Sequence, residues 1–395
     1  MSVHIFRRKW LSRVVISRLS ILYTLVLINP AADAQVSTET VLSQLKESVR
    51  QSMVEALLNR PDLPGIILHV EAPNHQISWS TAAGVRDPAT GIQLTGTEGV
   101  RIASVTKTYV AAAILRLWED GVLQLDDPIE RYIAPEHQAL LAQDGYDASV
   151  ITIRHLLSHV SGMFDHGSSQ QYFTQVLADP QRVWTRTDQI RGCVEWGEPV
   201  GRPGERFSYS DTGYILLGEV IEKISGQPLG IALRRLLNFD ALQLQATWFE
   251  LTEPRPPAVP DRAHQFVDSI DTYDLHPSVD LYGGGGLVTS VADMARFYQK
   301  LFDQKVFRNA TTLDTMLARY PLVGGHDAGM DYRKGIYQVE LAGRILWTHS
   351  GFWGTQVFYI PHLKASVAVA VTQQSAFGLS WPLLVAAIAA LEELE

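Results

Sequence analysis

The sequence predicts an α+β fold: one antiparallel sheet built from both chain ends, flanked by helices, with a mostly helical subdomain inserted between its halves. Three observations carry this. Short β-type apolar runs cluster at residues 65–84 and again between Gly335 and Thr372. The stretch between the clusters follows mostly helical patterns, and an apolar helical period precedes the first cluster and follows the last. At 395 residues and 46% hydrophobic content, the chain can fill a large core and exceeds the usual single-domain size, so one large domain with an insertion, or two merged subdomains, is expected. The sheet part is assigned to about 35–100 and 285–395, and the helical part to about 101–284.

Residues 1–34 read as a leader. Arg7, Arg8, Lys9, Arg13 and Arg18 precede the short apolar run ILYTLVLI, and Ala32-Asp33-Ala34 then offers a small-x-small cleavage site before Gln35. The run is too short to span a bilayer, so no stable membrane span is expected after cleavage, and the mature protein is expected in a periplasm or outside the cell. RRKWL loosely resembles a twin-arginine signal, but paired arginines are common in basic leaders, and the general secretory route is preferred.

After the leader, Val41, Leu42, Leu45, Val49, Met53, Leu57 and Leu58 recur at a helical period between Thr38 and Leu58. GIILHVEA (65–72) and the segment 76–84 read as two strands about the turn PNH. GIYQVEL, RILWTHS, TQVFYIP and ASVAVAVT read as four more, and the segment from Trp381 to Leu394 as a closing helix over the sheet. The net charge of −9 becomes more negative without the basic leader, which argues against nucleic acid or an anionic membrane as partner. Cys193 is the only cysteine, so neither an intrachain disulfide nor a thiolate metal cage is available.

Chemistry concentrates in three places. In EGVRIASVTKTYVAAAILRLWEDG (98–121) a short apolar stretch turns helical at Ser104, and Lys107 follows three residues later on the same helix face. A serine hydroxyl needs a nearby base, and a lysine serves only as a neutral amine, which burial and the positive helix end both favour. In ERFSYSDTGYILLGEVIEKISG (205–226) a loop delivers Tyr209 just before a periodic helix, where a phenol beside an ammonium would relay a proton to the leaving group. In WTHSGFWGTQVFYIP (347–361), His349-Ser350-Gly351 ends a strand. Gly351 would let substrate backbone approach, and the N–H groups of Ser104 and Phe352 would form an oxyanion hole.

SVTK, YSD and HSG, in that order and at wide spacing, resemble the three motifs of the serine β-lactamase and penicillin-binding-protein superfamily. The tyrosine and histidine resemble the branch containing class C β-lactamases, D-alanyl-D-alanine carboxypeptidases, D-aminopeptidases and related esterases. HLLSHVSGM (155–163) and GGGGLVTSVADMARFYQKL (283–301) are similar to stretches of that branch, so the resemblance covers roughly residues 40–390. It implies Ser104 as nucleophile, Lys107 as its base, Tyr209 as proton relay and His349 as a group that binds or orients substrate. Asp211 stands where the class C pattern has an asparagine whose amide would contact the acyl-side amide of a substrate. An ionised aspartate only accepts hydrogen bonds, so it would repel a carbonyl and favour a donor or cation. The alternative role for Asp211 is to cap the helix starting near Thr212. Trp353 is expected to line the substrate site.

The implied activity is acyl transfer without metal or organic cofactor, on a small-molecule or peptide substrate. Export places the protein near peptidoglycan, which favours a D-amino-acid peptide, with small esters as the alternative. The same fold also serves as a non-hydrolytic penicillin sensor, but a chain keeping Ser104, Lys107 and Tyr209 together is expected to turn over. His155 and His159 have the spacing of a two-histidine metal site, with Asp165 and His166 close by, yet no glutamate lies between them where a zinc protease would need one. The run Gly283–Gly286 lacks the GK[ST] of a phosphate cradle and is expected instead to pass close to the active-site wall.

Overall fold

The computed structural model of the chain describes residues 38–322 and 331–394; the leader and its cleavage site lie outside the described residues. The chain begins with α1 (Thr38–Asn59), then β1 (Gly65–Ala72), β2 (Ile77–Asp87), β3 (Ile92–Gln93), β4 (Val100–Arg101) and α2 (Thr106–Glu119). The inserted part supplies α3 (Pro135–Ala142), α4 (Ile153–Leu157), α5 (Gln170–Ala178), α6 (Arg186–Glu195), α7 (Asp211–Ser225) and α8 (Leu229–Leu237). Next come β5 (Thr247–Phe249), β6 (Phe266–Val267), β7 (Ile270–Asp271), β8 (Leu287–Thr289), α9 (Val291–Phe302) and α10 (Ala310–Leu317). The chain ends with β9 (Asp331–Tyr332), β10 (Tyr337–Leu341), β11 (Arg344–Gly351), β12 (Thr355–Ile360), β13 (Ala365–Val371) and α11 (Ser380–Glu392).

Both ends of the chain build one eight-stranded antiparallel sheet, ordered β3-β2-β1-β13-β12-β11-β10-β9. The seam joins the termini: β1 pairs with β13 from Ile66 opposite Val371 to Glu71 opposite Ser366. Alternation along each strand gives the sheet two apolar faces. Ile66, Leu68, Val70, Phe358, Val367 and Val369 face outward, where Val49 and Met53 of α1 and Leu384, Ala387 and Leu391 of α11 cover them. Ile67, Val357, Ala368 and Ala370 face inward onto the helical part. Each such Val, Leu or Ile contributes roughly 1.5–3 kcal/mol by leaving water, which is why strands apolar on both faces sit at the centre of the sheet.

α2 is the central helix. Every residue from Thr106 to Leu117 is buried, and the Tyr109 ring stacks on Phe297 of α9 with centroids 3.7 Å apart. A helix apolar all round must be covered all round, and α2 is enclosed between the helical part and the sheet side. A small sheet, β4-β8-β5, stands in the stretch whose sequence follows mostly helical patterns. Strands of two or three residues are too short to show a period. Buried Arg101 of β4 donates from Nε to Glu250 Oε2 at 2.8 Å and from its other nitrogens to the carbonyls of Thr272 and Leu275. That anchor holds the 272–282 segment beside the start of α2.

Candidate active site

Ser104 sits in a single 3₁₀ turn, Ala103–Val105, that runs directly into α2. The turn is pinned at its base by Ile102 N–H donating to Leu287 O and Val105 N–H to Ile102 O. Ala103, immediately before the nucleophile, has φ +44. A left-handed alanine costs about 1–3 kcal/mol and persists only where its surroundings over-determine it. Here it is buried against Trp353, Trp184, Tyr172 and Leu275.

Lys107 is the second residue of α2, one turn on from Ser104, with its side chain wholly buried. Nζ donates to Ser104 Oγ at 2.9 Å and to the Gly284 carbonyl at 2.6 Å, and it faces Asp211 Oδ1 at 2.7 Å. Nζ thus donates two hydrogen bonds and forms an ion pair with a third group. The glycine run therefore does more than pass the wall, since its Gly284 carbonyl is one of the groups that fix the base.

Asp211 is the first residue of α7, and Ser210 before it occupies the N-cap position. The Asp211 carboxylate is turned to Lys107 and seated on Gly167, where an added Cβ would come within 2.2 Å of Oδ2. To the two roles open from sequence, substrate contact and helix cap, the placement adds a third: Asp211 is the counter-ion of the buried lysine. Two segments 104 residues apart meet in that pair, which no local pattern could announce. Removing the carboxylate by Asp211→Ala, which deprives a buried ammonium of its anion, is expected to cost about 3 kcal/mol. Asp211→Asn keeps an accepting oxygen and should cost less. Urea unfolding of the two variants checks the order.

Tyr209 joins the same group. Lys107 Nζ stands 5.2 Å from the centroid of the Tyr209 ring and 5.7 Å from that of Tyr214. The nucleophile, the expected base and the expected relay thus converge on one point.

β11 brings in the third motif. β10 pairs with it only as far as Tyr337 opposite Thr348, so on that side the His349–Gly351 edge is left to the Ser104 turn. A Cβ on Gly351 would lie 2.1 Å from the Ile102 carbonyl oxygen and 2.4 Å from Thr355 Oγ1. The expectation that Gly351 makes room for substrate is corrected accordingly: it makes room for the nucleophile turn. That close approach packs the end of β11 against the turn that carries Ser104.

His349 is buried with Nδ1 2.9 Å from the Ser350 carbonyl, so Nδ1 carries the hydrogen and Nε2 is an acceptor. Burial, and then the nearby Lys107 charge, push its pKa down to about 3. It therefore stays neutral and offers no cation to a substrate. Tyr332 and Tyr337 meet its ring edge-on at 5.8 and 5.3 Å. Ser350 contributes its carbonyl to this arrangement.

Trp353 departs from expectation. It is buried rather than open to a cleft, and its indole N–H donates to Asp280 Oδ2 at 2.8 Å. The aromatic at the rim is Phe352, 36% exposed, with its ring 5.4 Å from Phe173. Asp280 was not legible in the sequence. It is partly exposed, its Oδ1 lies against Gly285, where a Cβ would come within 2.0 Å, and burial pushes its pKa up to about 6 against the pull of Lys107. Asp280 thus ties the turn after β11 to the glycine run that holds Lys107.

The site as a whole offers a serine with a hydrogen-bonded lysine, a phenol beside it and two carboxylates. Among the described residues no cluster of His, Cys, Asp and Glu is arranged to hold a metal ion. The chain is 28% identical to esterase EstB of Burkholderia gladioli over 80% of its own length and 88% of the relative's. It is 25% identical to penicillin-binding protein 4* of Bacillus subtilis (strain 168) over 82% of its length and 72% of the relative's. The crystal structure of D-amino acid amidase from Ochrobactrum anthropi SV3 complexed with D-phenylalanine superposes with a TM-score of 0.74 at 20% identity, covering 89% of this chain and all of that one, which shows a shared fold. A family model described as Beta-lactamase matches residues 50–390; the chain belongs to that family and is a serine hydrolase of the β-lactamase and penicillin-binding-protein fold.

Proposed function

We propose that the protein hydrolyses amides or esters of small acyl groups that carry an amine, the D-amino-acid amide or amino-terminal peptide class, through an acyl-enzyme on Ser104. The observation that supports this reading is the charge around the nucleophile. Asp211 and Asp280 are carboxylates, and His349 is neutral. Lys107 is paired with Asp211 and Arg101 with Glu250. A β-lactam or a D-alanyl-D-alanine terminus brings a carboxylate that such a site repels, whereas a substrate ammonium is complemented. Aminopeptidase-type or amidase chemistry is therefore favoured over carboxypeptidase or β-lactamase chemistry.

In this mechanism Lys107 acts as the neutral amine and takes the proton of the Ser104 hydroxyl, 2.9 Å away, as Oγ bonds to the substrate carbonyl carbon. The carbonyl electrons move to oxygen, which the N–H groups of Ser104 and Phe352 hold. Tyr209 hands a proton to the departing nitrogen or oxygen as its bond to carbon breaks. Water then attacks the acyl-enzyme and the same groups return the proton to Ser104.

A panel of D- and L-amino acid amides, D-alanyl-D-alanine peptides, p-nitrophenyl esters and a chromogenic cephalosporin tests the substrate class. The highest kcat/KM is expected with an amine-bearing D-amide; a preference for the cephalosporin or for the carboxylate-terminated peptide would exclude this reading. An ester preference is the second reading, favoured by the Phe173–Phe352 rim.

The pH profile carries a further expectation. As pH falls through about 6, Asp280 takes a proton and its charge is lost, so kcat/KM for an amine-bearing substrate should fall there. A neutral ester should show no such limb. Asp280→Asn should abolish it, while His349→Gln should leave it in place, since His349 does not titrate near neutrality.

The leader adds a proposal about location. Export by residues 1–34 predicts that the protein recovered outside the cytoplasm begins at Gln35, which N-terminal sequencing decides.

A further inference from the structure

We infer that His159 is the positioning residue for Tyr209, a clamp that grips the tyrosine by the backbone on either side and by its ring. The His159 carbonyl accepts from Ser208 N–H at 2.8 Å, and its Nδ1 accepts from Ser210 N–H at 3.1 Å. Between those two bonds the imidazole lies against the Tyr209 ring, with centroids 4.1 Å apart and planes 33° from parallel. The residues before and after Tyr209 and its own ring are thus all held by one side chain and its carbonyl.

The backing is rigid. His159 is buried at φ +53, an uncommon conformation for a residue of its size and one that aims both its carbonyl and its ring at the same segment. Tyr332 at 4.5 Å, Tyr214 at 5.0 Å and Phe207 at 6.1 Å also surround its ring, and the Tyr332 hydroxyl meets that of Tyr214, which donates to Leu157 O. Because Nδ1 accepts a backbone N–H, the ring is the neutral tautomer with its hydrogen on Nε2. His155 is occupied separately: its Nδ1 accepts from Thr152 N–H and its Nε2 meets the Tyr320 hydroxyl. The two histidines therefore have different jobs, and the second one serves the reaction through Tyr209.

The inference rests on Tyr209 as proton relay, and the test separates the two. His159→Asn and His159→Leu are made in the wild type and in the Tyr209→Phe background, with kcat and KM measured on a p-nitrophenyl ester and hydrogen exchange followed at the Ser210 amide. Asparagine tolerates the left-handed conformation and keeps an acceptor for Ser210 N–H, so it removes only the ring contact. His159→Asn is expected to lower kcat about tenfold with KM nearly unchanged, and to alter kcat less than about twofold when Tyr209→Phe is already present. Ser210 exchange should quicken in His159→Leu and stay slow in His159→Asn. An equal fall of kcat in both backgrounds, or unchanged Ser210 exchange in His159→Leu, overturns the clamp. Full activity of Tyr209→Phe would instead overturn the relay assignment, leaving Ser210 exchange to decide the clamp.

Discussion

Ser104→Ala is expected to lower turnover roughly 10⁴- to 10⁶-fold while leaving the fold intact. The reaction proposed here forms and breaks a covalent bond at one atom, Ser104 Oγ, and the lysine, the phenol and the backbone donors act on that bond. Removing the atom leaves them aimed at nothing, so their effects disappear together. The hydroxyl is not a structural member of the core. It is partly exposed, and it accepts one hydrogen bond from a lysine that has two other acceptors. A thermal midpoint within a few degrees of the wild type, together with the lost rate, distinguishes chemistry from unfolding.

Lys107→Ala is the second large effect, with a fall of roughly 10²- to 10⁴-fold in the acylation rate, the range that general-base groups supply. Here stability should suffer as well. The substitution removes a side chain that is fully buried beneath Tyr209 and Tyr214, and it strands both the Gly284 carbonyl and the Asp211 carboxylate. A half-buried carboxylate without its cation is the more costly loss. The double variant Lys107→Ala with Asp211→Asn should therefore recover stability relative to Lys107→Ala alone and recover no rate. Stopped-flow acylation and urea unfolding on the same preparations measure the two quantities independently.

What could be read from the chain and what could not divide along a physical line. Features written by local period were legible. Examples are the two-faced strands from Gly65 to Ala72 and Ala365 to Val371, the terminal helices that cover one face, and the serine and lysine one turn apart. The three motifs were legible as a set because chemistry fixes their residue types. Properties that arise only when distant segments meet were hidden. Asp211 looked like a cap or a substrate contact, since a sequence cannot say that residue 107 will stand 2.7 Å away. Trp353 looked like a cleft wall and is instead held under the nucleophile turn by Asp280. Gly351 had the right residue type for the wrong neighbour, a backbone of its own chain. His159 carried a visible signal, a histidine four residues after another, but spacing alone pointed to a metal, and only the path of the 208–210 backbone shows what the ring holds.

The central claim is that a single covalent acyl-enzyme forms on Ser104. Intact-mass spectrometry after mixing with a fluorophosphonate or a slowly released activated ester, followed by peptide mapping, measures it directly. One adduct per chain, on the peptide containing Ser104 and absent from Ser104→Ala, is the expected result. An adduct that persists in Ser104→Ala, or that maps to any other residue, would contradict it.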